Sequence, residues 1–285
     1  MIKFSFKRLI VQFGAVLLAN SHFSGFFDAS IYQGSFKRIC VPFMNCYSCP
    51  GAIGACPVGA LQMFLAGPVH RLSFYVIGFL VAVGALAGRL VCGWLCPFGL
   101  LQDFLARPWA RRVCLPVVLQ NLKYIVLLLT ITLPFFWLDQ SGIGSPVFCK
   151  YLCPVGTLEA GLLLGLQVPS LRALMGTLFV WKLLVLVILL VLMLFIYRPF
   201  CRTLCPLGAF YSLFNNVSLW RLEHNPWACT KCYTCRDVCP LQIKVDVDPN
   251  NPECIRCLEC VKACPAKALS FSPSKQASRS MALHK

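Results

Sequence analysis

Two cysteine runs near the end of the chain have the residue types and spacing to bind iron. The first reads C-T-K-C-Y-T-C-R-D-V-C-P from Cys229, and the second reads C-I-R-C-L-E-C-V-K-A-C-P from Cys254. Three thiolates on one tight loop can face three irons of a cubane, and the fourth cysteine of each run normally ligates the other cluster. This rule gives two ligand sets for [4Fe-4S] clusters: Cys229, Cys232, Cys235 and Cys264 for one, and Cys254, Cys257, Cys260 and Cys239 for the other.

Zinc ribbons are the alternative interpretation of these runs. Structural zinc sites need only two CxxC pairs, whereas each run here has four cysteines and a closing proline. The segment resembles a two-cluster bacterial ferredoxin. We therefore predict a small α+β ferredoxin domain at residues 225–272 whose folding depends on its metal, since a segment this short buries little apolar surface. A flexible tail is predicted at 273–285.

The rest of the chain has the composition of a membrane protein. The sequence is 58% hydrophobic and only 13% charged, and a helix needs about twenty apolar residues to cross a bilayer. Four stretches approach that length: 9–27, 72–91, 122–138 and 176–197. The shorter stretch 156–168 contains Glu159 and is predicted to be an interfacial or re-entrant helix. We expect an all-α membrane domain at 1–224, with four transmembrane helices in two tandem two-helix repeats.

The distribution of positive charge predicts the orientation of these helices. Lys3, Lys7 and Arg8 precede the first stretch, and several basic residues follow the second: Arg89, Arg107, Arg111, Arg112 and Lys123. Under the positive-inside rule both segments are cytoplasmic, so both termini of this multi-pass protein are predicted on the cytoplasmic side of a prokaryotic inner membrane. The formal charge of +16 does not indicate nucleic-acid binding, because cluster-ligating thiolates add uncounted negative charge and many cations flank the apolar stretches.

A Cys-Pro-x-Gly element follows each of the four apolar stretches. The elements begin at Cys56, Cys96, Cys153 and Cys205. Three of them have a second cysteine four residues earlier, namely Cys92, Cys149 and Cys201, whereas Cys46 and Cys49 precede Cys56. Proline can end the incoming helix and start the next, which places the second cysteine near an N-cap. There the free amide groups and the helix dipole favour a negatively charged cluster.

Topology predicts which elements meet. The elements after the second and fourth stretches lie on the cytoplasmic face and supply Cys92, Cys96, Cys201 and Cys205 for a third cluster. The other two lie on the outer face, where Cys149 and Cys153 would combine with two of Cys46, Cys49 and Cys56 for a fourth. Two alternatives remain open there: a separate cluster on Cys40, Cys46, Cys49 and Cys56, or disulfides, which a non-reducing compartment permits.

Two further features of the sequence bear on metal binding. Cys114 has no partner in the pattern and is predicted to be a buried small apolar residue. A bis-histidine haem is disfavoured, because only His22 lies well inside an apolar stretch and there is no CxxCH.

Taken together, these motifs resemble the polyferredoxin-like membrane proteins. That family includes the membrane ferredoxin subunit of periplasmic nitrate reductase systems and the C-terminal half of the nitrous-oxide-reductase regulator. The resemblance rests on C-G-W-L-C-P-F-G and C-R-T-L-C-P-L-G followed by the ferredoxin-like runs, and it covers Cys46 to Cys264. It implies electron transfer between the membrane or cytoplasm and a partner at the outer face, often tied to quinol oxidation. The third CxxxCP at Cys149 and the run at Cys46 depart from the family pattern and favour a relay with metal on each face.

Three functions compete on this sequence. The first is a transmembrane electron conduit, an electron-transfer subunit of an oxidoreductase system rather than a free-standing enzyme. The second is a quinol dehydrogenase subunit, for which quinone is a further partner beside membrane lipid and redox proteins. The third is an assembly or regulatory factor that uses its clusters to reduce a metal or thiol in a client metalloenzyme.

Overall fold

A computed structural model describes residues 6–67, 73–109, 113–138 and 143–273. The side chains of Lys3, Arg107, Arg111 and Arg112, which entered the predicted orientation, lie outside the described part of the chain, as does the tail after Pro273.

The part of the chain before residue 214 is helical. Its α-helices are α1 (Phe6–Ala19), α2 (Gly25–Asp28), α3 (Pro57–Ala66), α4 (Phe74–Ala87), α5 (Leu90–Trp94), α6 (Pro97–Trp109), α7 (Val117–Phe136), α8 (Pro154–Gly156), α9 (Leu163–Gln167), α10 (Pro169–Ala173), α11 (Thr177–Phe195), α12 (Pro199–Thr203) and α13 (Pro206–Leu213). A 3-10 turn covers Ser35–Arg38, and π-helical turns cover Phe148–Leu152 and Thr157–Leu162.

Two helices within the described residues, α7 and α11, are long and apolar enough to cross a bilayer. Their mean hydropathies are 1.6 and 3.0, and less than a quarter of each apolar window is buried inside the protein. Large side chains such as Val118, Leu128, Phe136 and Val180 face outward, as lipid-facing residues do. Helices α3 and α4 are also apolar but shorter. The structure therefore contains two candidate spans where the sequence predicted four.

The first two predicted stretches end early as helices for identifiable reasons. Helix α1 ends at Ala19, and Asn20 then donates through Nδ2 to Val16 O and to Asn45 Oδ1, both at 3.1 Å. Helix α4 ends at Ala87 because Gly88 has a φ of +50°, a conformation that ends helices. The stretch 156–168 is helical as predicted, with a π-helical turn leading into α9.

Helices α3 and α13 lie against α7 and run in opposite directions from its middle. Their first turns, at Val58 and Leu207, line one apolar cavity with Thr130 of α7. The far end of α13 faces the start of α7, where Tyr124 and Ser212 hydroxyls lie 2.8 Å apart. The far end of α3 is close to the other end of α7, as Ala66 O accepts from Gly144 N, which adjoins Pro134. The N-termini of α3 and α13 therefore both lie near the middle of α7.

The C-terminal unit contains β1 (Trp220–His224), α14 (Thr234–Asp237), α15 (Glu259–Ala263) and β2 (Leu269–Pro273). The strands pair antiparallel, from Trp220 opposite Pro273 to His224 opposite Leu269. This unit therefore begins before residue 225, because β1 completes the sheet with β2.

The C-terminal unit packs directly on the end of the helical part that carries α5. Trp94 Nε1 donates to Arg256 O at 2.9 Å, and the buried Arg256 guanidinium donates to Ala87 O and Asn215 O at 2.9 and 2.7 Å. Asn215 in turn donates to Cys254 O at 2.9 Å. These contacts fix the second cysteine run against the helical part.

Candidate metal centres

The first C-terminal quartet lines a single small cavity. Its members are Cys229, Cys232, Cys235 and Cys264, the set that the sequence predicted, with His224 and Asp246 beside them. Cys232 is exposed and accepts from Thr234 Oγ1 at 3.4 Å. The quartet therefore lies at the surface of the C-terminal unit, where a soluble protein can approach it.

The second C-terminal quartet is buried. Cys239, Cys254, Cys257 and Cys260 are each less than 10% exposed and share one core with Leu222 and Ile255. Burial first, and then the neighbouring Cys257 thiol, raises the pKa of the Cys254 thiol to about 12. Because metals bind the thiolate, metal binding at this quartet would release protons.

The backbone repeats between the two cysteine runs. Six non-glycine residues adopt left-handed φ angles in three matched pairs, and each pair has the spacing of Cys229 to Cys254: Lys231 with Arg256, Tyr233 with Leu258, and Gln242 with Lys267. Such φ values are uncommon outside glycine, so a constraint common to both runs holds them. A ligand cage of the same shape in each run accounts for the repeat.

The third quartet that the sequence predicts draws on two CxxxCP elements. Cys92 lies in α5 and Cys201 in α12, whereas Cys96 directly precedes α6 and Cys205 is the N-cap of α13. The Cys205 thiol is close enough to the thiols of Cys201, Cys92 and Cys96 to interact with them electrostatically. All four cysteines are buried.

The fourth quartet lines a cavity of about 420 Å³ with a largely apolar wall. Cys149 and Cys153 line it together with Cys46 and Cys56, two of the three cysteines that the sequence offered in that segment. Cys49 does not line this cavity, and the buried Cys40 forms a bridge with Ala55 outside it. The free thiols recorded for all of these cysteines show no disulfide among the described residues.

The Cys-Pro-x-Gly elements have a common local geometry. Each proline starts a helix, and the glycine amide donates to the thiol of the element's own cysteine: Gly208 N to Cys205 Sγ at 3.2 Å, Gly156 N to Cys153 Sγ at 3.4 Å, and likewise Gly59 to Cys56 and Gly99 to Cys96. Glycine permits the close backbone approach, because a Cβ at Gly208 would lie 3.1 Å from Cys201 O. These amides can stabilise charge on a bound cluster.

The third and fourth quartets adjoin each other. Met44 Sδ lies 3.4 Å from Cys205 Sγ, and Met44 also lines the cavity of the fourth quartet. The two quartets are predicted from sequence at opposite faces, separated by about 30 Å of hydrocarbon, and the structure differs from that expectation. The reason is that α3 and α13 both start near the middle of α7, so their N-cap cysteines, Cys56 and Cys205, lie there too.

The donor chemistry of these quartets fits iron–sulfur clusters. Four thiolates on one zinc lie about 3.8 Å apart, given Zn–S bonds of about 2.3 Å. A multi-iron cluster holds its thiolates further apart around its own bulk, and all four quartets consist of cysteine alone.

Buried charges around the third quartet are a feature that the cysteine spacing does not predict. Arg89, Lys123, Asp103 and Arg198 are all almost completely buried, whereas the sequence predicts for Arg89 and Lys123 only a role in membrane orientation. Arg89 and Lys123 both bind Glu253. Burial alone would raise the pKa of Glu253, but these two cations outweigh it and hold the pKa below its usual range. The prediction for Cys114 is wrong: it is exposed, because the loop before α7 leaves it uncovered.

Comparison with known proteins agrees with this chemistry. The profile of a 4Fe-4S binding domain matches residues 72–114, 124–164 and 177–223, and each match contains one CxxxCP element. The chain is 33% identical over 228 residues to the uncharacterized protein MJ0750 of Methanocaldococcus jannaschii, covering 76% of this chain and 86% of that protein. No solved structure matches the chain.

Two further relatives carry descriptive names. Ferredoxin-type protein NapH of Haemophilus influenzae is 24% identical over 287 residues, covering 95% of this chain and 90% of NapH. Protein NirI of Paracoccus denitrificans is 32% identical over 213 residues, but the match covers 70% of this chain and only 28% of NirI. The chain thus belongs to the polyferredoxin-like membrane proteins, a family of [4Fe-4S] proteins that transfer electrons.

Proposed function

We propose that the protein conducts electrons through the membrane, between its C-terminal ferredoxin domain and a redox partner at the opposite face. Four [4Fe-4S] clusters would be held by the four cysteine quartets, and each cluster would accept and release one electron. The observation that carries the proposal is the unbroken succession of quartets, each in contact with the next through named residues.

The succession starts at the exposed Cys232. The first two quartets interlock, because Cys239 is the fourth cysteine of the first run but lies with the second quartet. Cys264 is the fourth cysteine of the second run but lies with the first quartet. This exchange puts one ligand of each site on the loop of the other. A soluble donor or acceptor docked at Cys232 would thus be one step from the buried second quartet.

The second and third quartets are joined across the domain interface. The Gly93 backbone packs on Ile255, so that a Cβ there would lie 2.2 Å from Ile255 O, and Trp94 binds Arg256 O. Gly93 and Trp94 lie between Cys92 and Cys96, whereas Ile255 and Arg256 lie between Cys254 and Cys257. The ligand loops of the two quartets are therefore in van der Waals contact.

The third and fourth quartets are separated by the side chain of Met44. Its polarizable thioether fills the gap and contacts Cys205 directly. Both quartets lie near the middle of α7. Clusters bound there would replace one electron transfer across about 30 Å of hydrocarbon with several shorter transfers.

Sealed vesicles provide the test of conduction. The anaerobically purified protein is reconstituted into vesicles that contain ferricyanide, and dithionite is added outside; neither reagent crosses the bilayer. We expect the wild-type protein to reduce the trapped ferricyanide. The Cys201→Ala variant should fail to reduce it, and the Cys114→Ala variant should still do so. Fully iron-loaded wild-type protein that leaves the trapped ferricyanide oxidised would contradict conduction.

The cavity at the fourth quartet favours quinol oxidation as a second candidate function. Beyond the cysteines, its wall contains Leu164, Leu171, Leu174 and Met175, with Lys182 as a cation. A largely apolar cavity with a few polar groups is typical of sites for lipid-soluble ligands. The test is reduction of the clusters by a short-chain quinol in detergent. Loss of this reaction on replacing Leu164 with Trp, while dithionite still reduces the clusters, would support quinol oxidation, and no reduction of wild type by quinol would exclude it.

A further inference from the structure

The CxxxCP elements share a feature beyond their cysteines. In two of them an arginine stands three residues before the first cysteine, in Arg89-Leu-Val-Cys92 and Arg198-Pro-Phe-Cys201. The element of the fourth quartet has Pro146 at this position. The arginine therefore distinguishes the two elements that build the third quartet.

These two arginines cross between the halves of the repeat. Arg89 donates through Nη2 to Cys201 O at 2.9 Å, and Arg198 donates through Nη1 to Cys92 O at 2.6 Å. Each arginine thus binds the carbonyl of the first cysteine in the other element. Both side chains are fully buried.

The fourth quartet receives an equivalent contact from another element. Lys182 of α11 donates through Nζ to Cys149 O at 3.3 Å. In all three CxxxCP elements the carbonyl of the first cysteine therefore accepts a hydrogen bond from a cation: Arg198 on Cys92, Arg89 on Cys201 and Lys182 on Cys149.

The surroundings hold each arginine in place. Arg198 binds Asp103 through Nε at 2.7 Å and Nη2 at 2.5 Å, and Arg89 binds Glu253 at 3.0 Å. Arg198 also has a φ of +50°, which is unfavourable for a residue with a side chain. Glycine would adopt this backbone at lower cost, so the guanidinium and its contacts account for arginine at this position.

We propose that the cation on each first-cysteine carbonyl is a positioning residue that sets the midpoint potential of the cluster bound by that element. This inference rests on the proposed ligation of clusters by the third and fourth quartets. Arg89 and Arg198 act on the third cluster, and Lys182 acts on the fourth.

Electrostatics gives the direction of the effect. Reduction adds negative charge to a cluster, and a nearby fixed positive charge favours the reduced form. Arg89 and Arg198 interact electrostatically with the thiol of Cys92, and a buried cation is screened much less than an exposed one. Each cation therefore raises the potential of its own cluster, and its removal lowers that potential.

The experiment is redox titration of the full-length protein followed by electron paramagnetic resonance. The signal of the third cluster is identified by its absence in Cys201→Ala, and that of the fourth by its absence in Cys153→Ala. Arg198→Gln should lower the reduced-to-oxidised ratio of the third cluster at fixed potential by about tenfold or more, equivalent to about 59 mV for one electron, and leave the fourth unchanged. Lys182→Gln should have the reverse selectivity.

Charge-conserving and matched variants separate potential from folding. Arg198→Lys keeps the charge and should keep the potential of the third cluster near that of wild type. Arg202→Gln removes another buried arginine of α12, one that binds Val113 O rather than a cysteine carbonyl, and should shift the potential of the third cluster less than Arg198→Gln does. If Arg198→Gln fails to assemble the cluster, Arg89→Gln gives the same measurement on the reciprocal contact.

The outcomes distinguish this inference from the proposed function. Wild-type protein without the third and fourth signals would contradict the proposed ligation itself. Wild-type protein with both signals, but with unshifted potentials in Arg198→Gln, Arg89→Gln and Lys182→Gln, would overturn the inference alone. Equal loss of the third cluster in the Gln and Lys variants of both arginines would also overturn it, because the contact would then serve only folding.

Discussion

At the scale of single residues, cysteines that are close in sequence have different surroundings, and these surroundings decide which of them can be ligands. Cys46 and Cys56 share a cavity with Cys149 and Cys153, whereas Cys49, only three residues from Cys46, does not. Cys49 N instead donates to Cys46 O within a tight turn. Spacing alone cannot reveal this, because either cysteine of C-Y-S-C fits a ligand pattern and only the fold of the turn selects between them.

The selection of Cys56 over Cys49 gives a direct prediction. We expect Cys56→Ala to remove or convert the fourth cluster, because it deletes a thiolate at the N-cap of α3, and Cys49→Ala to leave that cluster intact. Iron and sulfide counting with electron paramagnetic resonance provides the measurement. Equal losses in the two variants would show that the structure has selected the wrong cysteine.

The buried arginines of the third quartet were not predicted, although the sequence contains a signal for them. Arg89 and Arg198 occupy the same place relative to Cys92 and Cys201. Positive residues beside apolar stretches are commonly explained by membrane orientation. With that explanation at hand, the shared position of the two arginines relative to their cysteines is easily overlooked. Aligning the elements on their cysteines, rather than on the spans, would have singled out both arginines.

At the scale of elements, proline placement predicted the helix starts well. Cys56, Cys153 and Cys205 are N-caps, with proline as the first helical residue. The direction of each following helix was not predictable, because it depends on packing against α7. For that reason the sequence placed the third and fourth quartets at opposite faces, whereas α3 and α13 bring them together.

The contact between α5 and the second cysteine run gives a prediction at this scale. A Cβ at Gly93 would lie 2.2 Å from Ile255 O, so Gly93→Ala should force the ferredoxin domain away from α5. We expect a destabilisation of about 1–3 kcal/mol, as for other overpacked sites. Stopped-flow absorbance should show slower reduction of the third cluster by dithionite, with all clusters still assembled.

Gly78→Ala is the matched control for that substitution. Gly78 lies in α4, and a Cβ there would meet nothing within 4 Å. The added methyl should be neutral, or stabilising by up to about 1 kcal/mol through helix propensity. Equal slowing in both alanine variants would remove the interface contact as the explanation.

The ferredoxin domain should depend on its metal for order. Its core is small, and four of its eleven buried apolar residues are cysteines, so clusters must replace much of a core. Hydrogen exchange after anaerobic chelation of iron should show β1 and β2 losing protection, while α7 keeps it. Protection of both strands without iron would contradict this dependence.

At the scale of the whole molecule, the four quartets form a series from an exposed site to a cavity at the first turn of α3. Interlocked loops join the first pair, a domain interface joins the second quartet to the third, and Met44 joins the third to the fourth. The ligand sets of the ferredoxin domain and of the third quartet could be proposed from sequence, because their motifs repeat. The relative positions of the quartets required the fold.

The number of clusters in the intact protein tests this account most directly. The measurement is iron and sulfide per chain, with quantified electron paramagnetic resonance, on anaerobically purified full-length protein and on a variant with Cys96, Cys201, Cys56 and Cys153 replaced by Ala. Four [4Fe-4S] clusters predict about sixteen irons in wild type and about eight in the variant. A fully loaded wild type with only about eight irons, all of them retained in the variant, would contradict the series and leave a ferredoxin on a membrane anchor.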